Sequence, residues 1–225
     1  MVAQAAHIPV HLGSTPRSVR AAIEQVDPEG DEHAVLNDPY AGGTHLPDIT
    51  FVSPVVGPGG LVRFYVANRA HHADVGGSSP GSLPLSRHID DEGIRIPPSK
   101  WDEEVRDEIL AATRTPQERR GDLRAQLAAN RRGRERLQAY MERRGAETWA
   151  AAEKLQAHSE RYMRRALGEM QDGSWAFDDV MEDDGFDGRD LEVRAEVTID
   201  GESATVDFAG TADQCPGLIN APELV

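Results

Sequence analysis

Residues 49–66 read Ile49-Thr50-Phe51-Val52-Ser53-Pro54-Val55-Val56, then Gly57-Pro58-Gly59-Gly60, then Leu61-Val62-Arg63-Phe64-Tyr65-Val66. Two runs of β-branched and aromatic residues flank four residues of glycine and proline. Such side chains suit a pleated, half-buried surface, and glycine reaches positive φ without a steric cost, as tight hairpin turns require. The stretch predicts a β-hairpin with strands at 49–56 and 61–66. Upstream, Ala34 to Leu36 predicts a third short strand. Arg17 to Gln25 predicts a helix, with Ser14 or Thr15 as its cap and Pro16 near its first turn.

Beyond residue 100 the composition changes. Glycine and proline thin out, and Arg, Glu, Ala and Leu dominate to residue 171. Leu123, Leu127, Leu137 and Met141 fall at helical spacing, as do Leu155, Tyr162, Ala166 and Met170. Two long helices are expected, divided at Gly145. Pro116 opens the first or separates it from a shorter helix near Glu103 to Ala112. The arginines are expected on exposed helix faces, paired with nearby glutamates. From residue 172 strand patterns return at Trp175 to Phe177, Leu191 to Ile199 and Ala204 to Phe208, with Asp200-Gly201 as a hairpin turn. The acidic stretch Asp178 to Asp190 reads as a loop, and its spacing does not match a calcium-binding EF-hand. The fold class is therefore α+β: a strand- and loop-rich part at 1–100, a helical part at 101–171 and antiparallel strands at 172–225.

The 225 residues carry 24 basic and 39 acidic side chains, a formal net charge of −15. A surface this acidic repels phosphate backbones and anionic lipid, so neither nucleic acid nor membrane is an expected partner. The single cysteine, Cys215, excludes an internal disulfide and fits a reducing compartment. No run is long and apolar enough to span a bilayer, and the start has neither a basic segment nor an apolar run. The cytoplasm is the expected location. Walker A and G-x-G-x-x-G motifs are absent, so the chain is not expected to bind ATP or a dinucleotide.

Seven of the eight histidines lie within the first 90 residues. One pattern occurs twice: His45-Leu46-Pro47-Asp48 and His71-His72-Ala73-Asp74. Each places an imidazole and a carboxylate three residues apart, next to strand-like residues that could bring both to one cleft. Nitrogen and oxygen donors together suit a first-row divalent ion. Glycines flank both patterns, at Gly42-Gly43 and Gly76-Gly77, where they allow close backbone approach. Spacing alone leaves hydrogen-bonded structural histidines as the alternative.

The run Asn37-Asp38-Pro39-Tyr40-Ala41-Gly42-Gly43-Thr44-His45-Leu46-Pro47-Asp48 resembles the signature of the hydantoinase B/oxoprolinase family. So do Ala70 to Gly77 with Pro80-Gly81-Ser82, His7 to Gly13, Glu92 to Pro97, Gly121 to Gln126, and Val206 to Thr211 followed by Ile219-Asn220-Ala221. These motifs span nearly the whole chain.

The resemblance implies a B-type subunit of an ATP-dependent enzyme that opens a cyclic amide such as hydantoin or 5-oxoproline. An A-type partner would bind ATP and activate the substrate carbonyl. It also implies a divalent metal (Mn, Fe or Zn) held by His45, Asp48 and His71 or His72, with His71 preferred. Asp74 and the remaining histidine, His72, would then act as general base or as groups orienting the site. Asn37 and Asp38 would hold their loop or contact substrate. Family subunits are longer at both ends, so the chain reads as a fragment. A non-catalytic remnant and a subunit of an acetone- or acetophenone-type carboxylase are the alternatives.

Overall fold

The computed structural model describes residues 1–5, 9–82 and 84–222. His7 and Ile8, the start of one family-like motif, lie outside the described residues. The protein is α+β. Its contacts divide it between Ala146 and Glu147, inside the helical stretch, into one unit built on residues 5–146 and another on residues 1–4 and 147–220.

In the larger unit, α1 (His11–Gln25) begins six residues before the expected start and runs through Pro16. Proline forgoes a helical hydrogen bond there, a cost of ~3 kcal/mol in an unsupported helix. Tertiary anchoring offsets it: Ser14 and Ser18 are buried, and both hydroxyls accept from the Arg69 guanidinium. Ser14 therefore faces the sheet instead of capping the helix.

The sheet has the order β3-β2-β1-β4 and is antiparallel throughout. Its strands are β1 (Ala34–Leu36), β2 (Asp48–Val56), β3 (Val62–His71) and β4 (Ser99–Lys100). The predicted hairpin is β2–β3, closed by a bond from Gly57 N–H to the Leu61 carbonyl, with Gly59 and Gly60 at φ 85° and 78°. Both strands extend further toward the His/Asp motifs than the hydrophobic runs indicated. Asp48 begins β2, His71 ends β3, and the two are directly paired.

β2 is buried on both faces, which explains its nearly continuous apolar sequence. On one face Ile49 and Phe51 join Leu46, Ile109 and Leu123, the last two from α2 (Glu103–Ala112) and α3 (Pro116–Arg144). On the other face Val52 packs with Leu36, Ala21 and Ala22 beneath α1. Burying a side chain the size of Phe51 contributes about 1.5–3 kcal/mol.

The sheet-facing stripe of α3 is largely polar. Gln126 donates to the Ile49 carbonyl and to Asn68, while Asn130 donates to the Phe51 carbonyl and to Ser53. Arg119 and Arg134 are also buried, contrary to the expectation of exposed arginines. Arg134 reaches the Gly30 carbonyl and Asp31, which a shorter side chain on that stripe would not do.

The smaller unit contains α4 (Glu147–Gly168) and the antiparallel sheet β5 (Gly173–Asp183), β6 (Arg189–Asp200) and β7 (Ser203–Asp207). Asp200-Gly201 forms the predicted turn, with Gly201 at φ 56°. The acidic stretch is a strand as far as Asp183, not a loop. Its carboxylates flank Val180 and Met181 in register with β6, and Arg194 faces Asp178 across the pair. The loop proper starts at Asp184, whose buried carboxylate accepts from the backbone N–H groups of Phe186, Gly188 and Gly217.

Candidate metal centre

The loop before β2 is fixed from beneath by Asn37. Its amide donates to the Leu46 and Ile94 carbonyls and its oxygen accepts from Ile96 N–H. The neighbouring Asp38 caps the short turn at 39–41 by accepting from Tyr40 N–H and lies 3.5 Å from Arg95. Both residues hold the loop. Asp48 N–H bonds back to the His45 carbonyl at 3.0 Å, folding the imidazole of His45 over the Asp48 carboxylate.

Three of the anticipated residues converge. His71 Nδ1 is 3.0 Å from Asp48 Oδ1 and 2.9 Å from His45 Nε2. One donor atom from each of His45, Asp48 and His71 lies within 4.8 Å of the others. Asp48 is buried, whereas the two imidazoles remain partly exposed. Donors bound about 2.0–2.2 Å from a shared ion stand about 3–3.5 Å apart, close to the 2.9 and 3.0 Å spacings at His71 Nδ1. Burial pushes the His45 imidazole below its ordinary pKa. Asp48 opposes that shift, while His71, His11 and Arg69 reinforce it. The neutral, ligating form of His45 is thus favoured.

The other oxygen of Asp48, Oδ2, faces away from His71. It accepts from the Thr44 hydroxyl at 2.5 Å and lies 3.5 Å from His45 Nδ1 and 3.6 Å from His11 Nε2. His11, Thr44 and Arg69 carried no site assignment from sequence. They come from separate segments, and only the pairing of β2 with β3 under α1 brings them together.

His72 and Asp74 stand elsewhere. His72 lies on the opposite face of the sheet from His71, buried, with Nε2 2.8 Å from Gln126 Oε1. Both amide hydrogens of Gln126 are used on Ile49 and Asn68, so Oε1 is the acceptor and His72 carries its proton on Nε2. Burial lowers the His72 pKa, with the Gln126 bond acting in the other direction. Its Nδ1 is then a buried lone pair with no hydrogen-bond partner among the described residues. His72 lines a cleft of about 430 Å³ together with His71, Asn68, Arg119, Asp122 and Gln126.

Asp74 is engaged by Thr113 Oγ1, by the backbone N–H groups of Arg114 and Gly76, and by the Arg114 guanidinium at 2.7 Å. Burial alone raises its pKa, but these donors and the arginine charge hold the carboxyl below its usual value.

The sequence model of hydantoinase B/oxoprolinase matches residues 1–225. The chain belongs to the hydantoinase B/oxoprolinase family. It is 35% identical to 5-oxoprolinase 1 of Arabidopsis thaliana over all of its own length and 20% of that protein. It is 32% identical to the caprolactamase subunit beta of Pseudomonas jessenii over 98% of its own length and 39% of the subunit. The crystal structure of the ATP-dependent caprolactamase from the same organism superposes with a TM-score of 0.86 at 30% identity, across 98% of this chain and 39% of that one. The chain therefore spans about two-fifths or less of these relatives. For the hydantoinase B/oxoprolinase family member described here, the match covers both sheets and all four helices.

Proposed function

We propose that this chain carries the metal-binding part of a B-type subunit, acting in the cytoplasm on a cyclic amide whose carbonyl an ATP-using A-type partner activates. The convergence of His45, Asp48 and His71 at the paired ends of β2 and β3 supports this reading most directly. Two imidazoles and one carboxylate are a donor set for Mn, Fe or Zn. Three protein ligands leave further positions for water or substrate, as at catalytic rather than structural sites.

When bound, the ion supplies Lewis-acid polarisation of a carbonyl or lowers the pKa of a bound water. The protein's own residues do the rest. Asp48 would offer one oxygen to the ion, while Thr44 holds the other. His72 keeps its Nε2 proton on Gln126, so a general-base role would fall to its buried Nδ1 lone pair. Asp74 orients the segment 74–77 by binding Arg114 and Gly76. Its role is to fix that backbone, because its oxygens are occupied by donors.

The test is metal content by mass spectrometry of the purified chain beside His45→Ala and Asp48→Ala. Near-stoichiometric metal that both substitutions abolish supports the reading. A folded wild-type chain that stays metal-free after incubation with Mn, Fe(II) and Zn salts would overturn it and favour a non-catalytic remnant.

A further inference from the structure

Arg69 is a half-buried cation surrounded by neutral acceptors. Its Nε donates to Thr50 Oγ1 at 2.8 Å, Nη1 to Ser14 Oγ at 2.7 Å and His11 Nδ1 at 3.1 Å, and Nη2 to Ser18 Oγ at 2.8 Å and the Gly42 carbonyl at 3.4 Å. A guanidinium has five N–H groups, no acceptor, and does not deprotonate in proteins. Each of its donors therefore has a place here, and rotating the group to release one partner would disturb the others.

The consequence falls on His11. Because Arg69 can only donate, His11 Nδ1 must be an acceptor. The single proton of the neutral ring then sits on Nε2, the atom 3.6 Å from Asp48 Oδ2. That spacing is a few tenths of an ångström longer than a formed hydrogen bond, so the donation requires a small approach of the two groups.

We propose that His11 is a positioning residue of the metal centre, locked by Arg69 in the Nε2–H tautomer and donating to the outer oxygen of Asp48. The same lock bars it from serving as a fourth ligand, since ligation through Nε2 would need the lone pair that the proton occupies. With Thr44 and His11 both on Oδ2, Asp48 is confined to binding through Oδ1. A carboxylate ligand held this way by outer donors is the usual means of orienting a metal site. The role of His11 rests on the metal reading above, but its tautomer does not.

The test uses the whole chain labelled with 15N-histidine. Long-range proton–nitrogen spectra are recorded metal-free and loaded with cadmium-113, with His11→Gln used to assign the signals. The expected result is a protonated Nε2 and an unprotonated Nδ1 for His11 in both states. Cadmium coupling is expected to one nitrogen each of His45 and His71 and to neither of His11. A metal affinity weakened about 10–100-fold in His11→Gln, with an unchanged folded spectrum, is the size expected for a lost orienting donor. Arg69→Met, checked for folding by circular dichroism, is expected to release the lock and shift His11 toward the Nδ1–H form. A protonated Nδ1 in the wild-type chain, or coupling from cadmium to His11, overturns the proposal. If cadmium does not bind at all, the metal reading fails and the role of His11 with it, while the metal-free spectrum still decides the tautomer.

Discussion

His71 and His72 adjoin in sequence but serve opposite faces of one sheet: His71 Nδ1 lies 3.0 Å from Asp48 Oδ1, whereas His72 Nε2 donates to Gln126 Oε1 at 2.8 Å. Strand alternation enforces the separation, because successive side chains at the end of β3 point to opposite sides. Only one histidine of the pair can join His45 and Asp48.

Two substitutions should therefore behave differently. His71→Ala is expected to weaken metal binding by at least about tenfold with little change in stability, because the ring is half-exposed. His72→Ala is expected to leave metal content intact while lowering stability by about 2–3 kcal/mol, from the lost bond to Gln126 and the cavity left behind. Isothermal titration with metal and urea unfolding of both variants measure the two effects. The opposite pattern, with metal lost in His72→Ala and kept in His71→Ala, would reverse the assignment.

Asp74 anchors the segment after β3 to the end of α2. Removing its carboxylate leaves the Thr113 hydroxyl and two backbone N–H groups without their acceptor. Asp74→Ala is expected to cost about 2–4 kcal/mol, discounted for the partial exposure of Arg114. Metal stoichiometry is expected to stay near the wild-type value at saturating ion. A variant of wild-type stability, read from its urea midpoint, would contradict the anchoring role.

Much of this was legible in the sequence because local chemistry and final structure agree. The Gly57–Gly60 turn, the break at Gly145 and the Asp200-Gly201 hairpin all require backbone conformations that few other residues supply. The motif His45-x-x-Asp48 also brings its imidazole and carboxylate to 3.5 Å of each other, as the spacing suggested. The rest was set by tertiary contacts. α1 starts early because Arg69, a strand residue, reaches across to Ser14 and Ser18. Hydrophobic periodicity misses the sheet-facing stripe of α3 because Gln126 and Asn130 bond to the backbone of β2, where apolar residues would be expected. Residues 178–183 look like an acidic loop until β6 supplies Arg194 and a register. His11 had no visible role because it meets Asp48 only after the sheet and α1 have assembled.

Gly42 tests that assembly. It sits at φ 87°, and a Cβ there would lie 2.5 Å from the Ser18 backbone nitrogen. Its carbonyl also accepts from the Ser18 hydroxyl at 2.6 Å. Gly42→Ala both strains the backbone and pushes α1 from the loop that carries His45, for about 1–3 kcal/mol. Because α1 holds His11, metal affinity is expected to fall as well. A Gly42→Ala chain with wild-type melting temperature would show that α1 does not pack this closely on the loop.

His33 is expected to give the protein a pH dependence away from the His45–Asp48–His71 cluster. Its ring bonds to Ser53 Oγ at 2.6 Å. Burial pushes its pKa below the ordinary histidine value, and Arg134 and Arg131 add to the shift against the opposing charge of Asp31. In the unfolded chain the ring protonates near its usual value of about 6.5. Below that pH the unfolded state binds a proton that the folded state resists. The stability contributed by neutral His33 is therefore present above about pH 6.5 and is lost as pH falls toward the lower folded-state pKa. The slope from one such group cannot exceed about 1.4 kcal/mol per pH unit. His33→Gln retains a polar side chain at the Ser53 contact and cannot titrate in this range, so it is expected to flatten the acid side of the stability curve. The measurement is the urea midpoint of both proteins from pH 8 to pH 5. If the two curves stay parallel throughout, His33 is not the proton-excluding group that its surroundings make it.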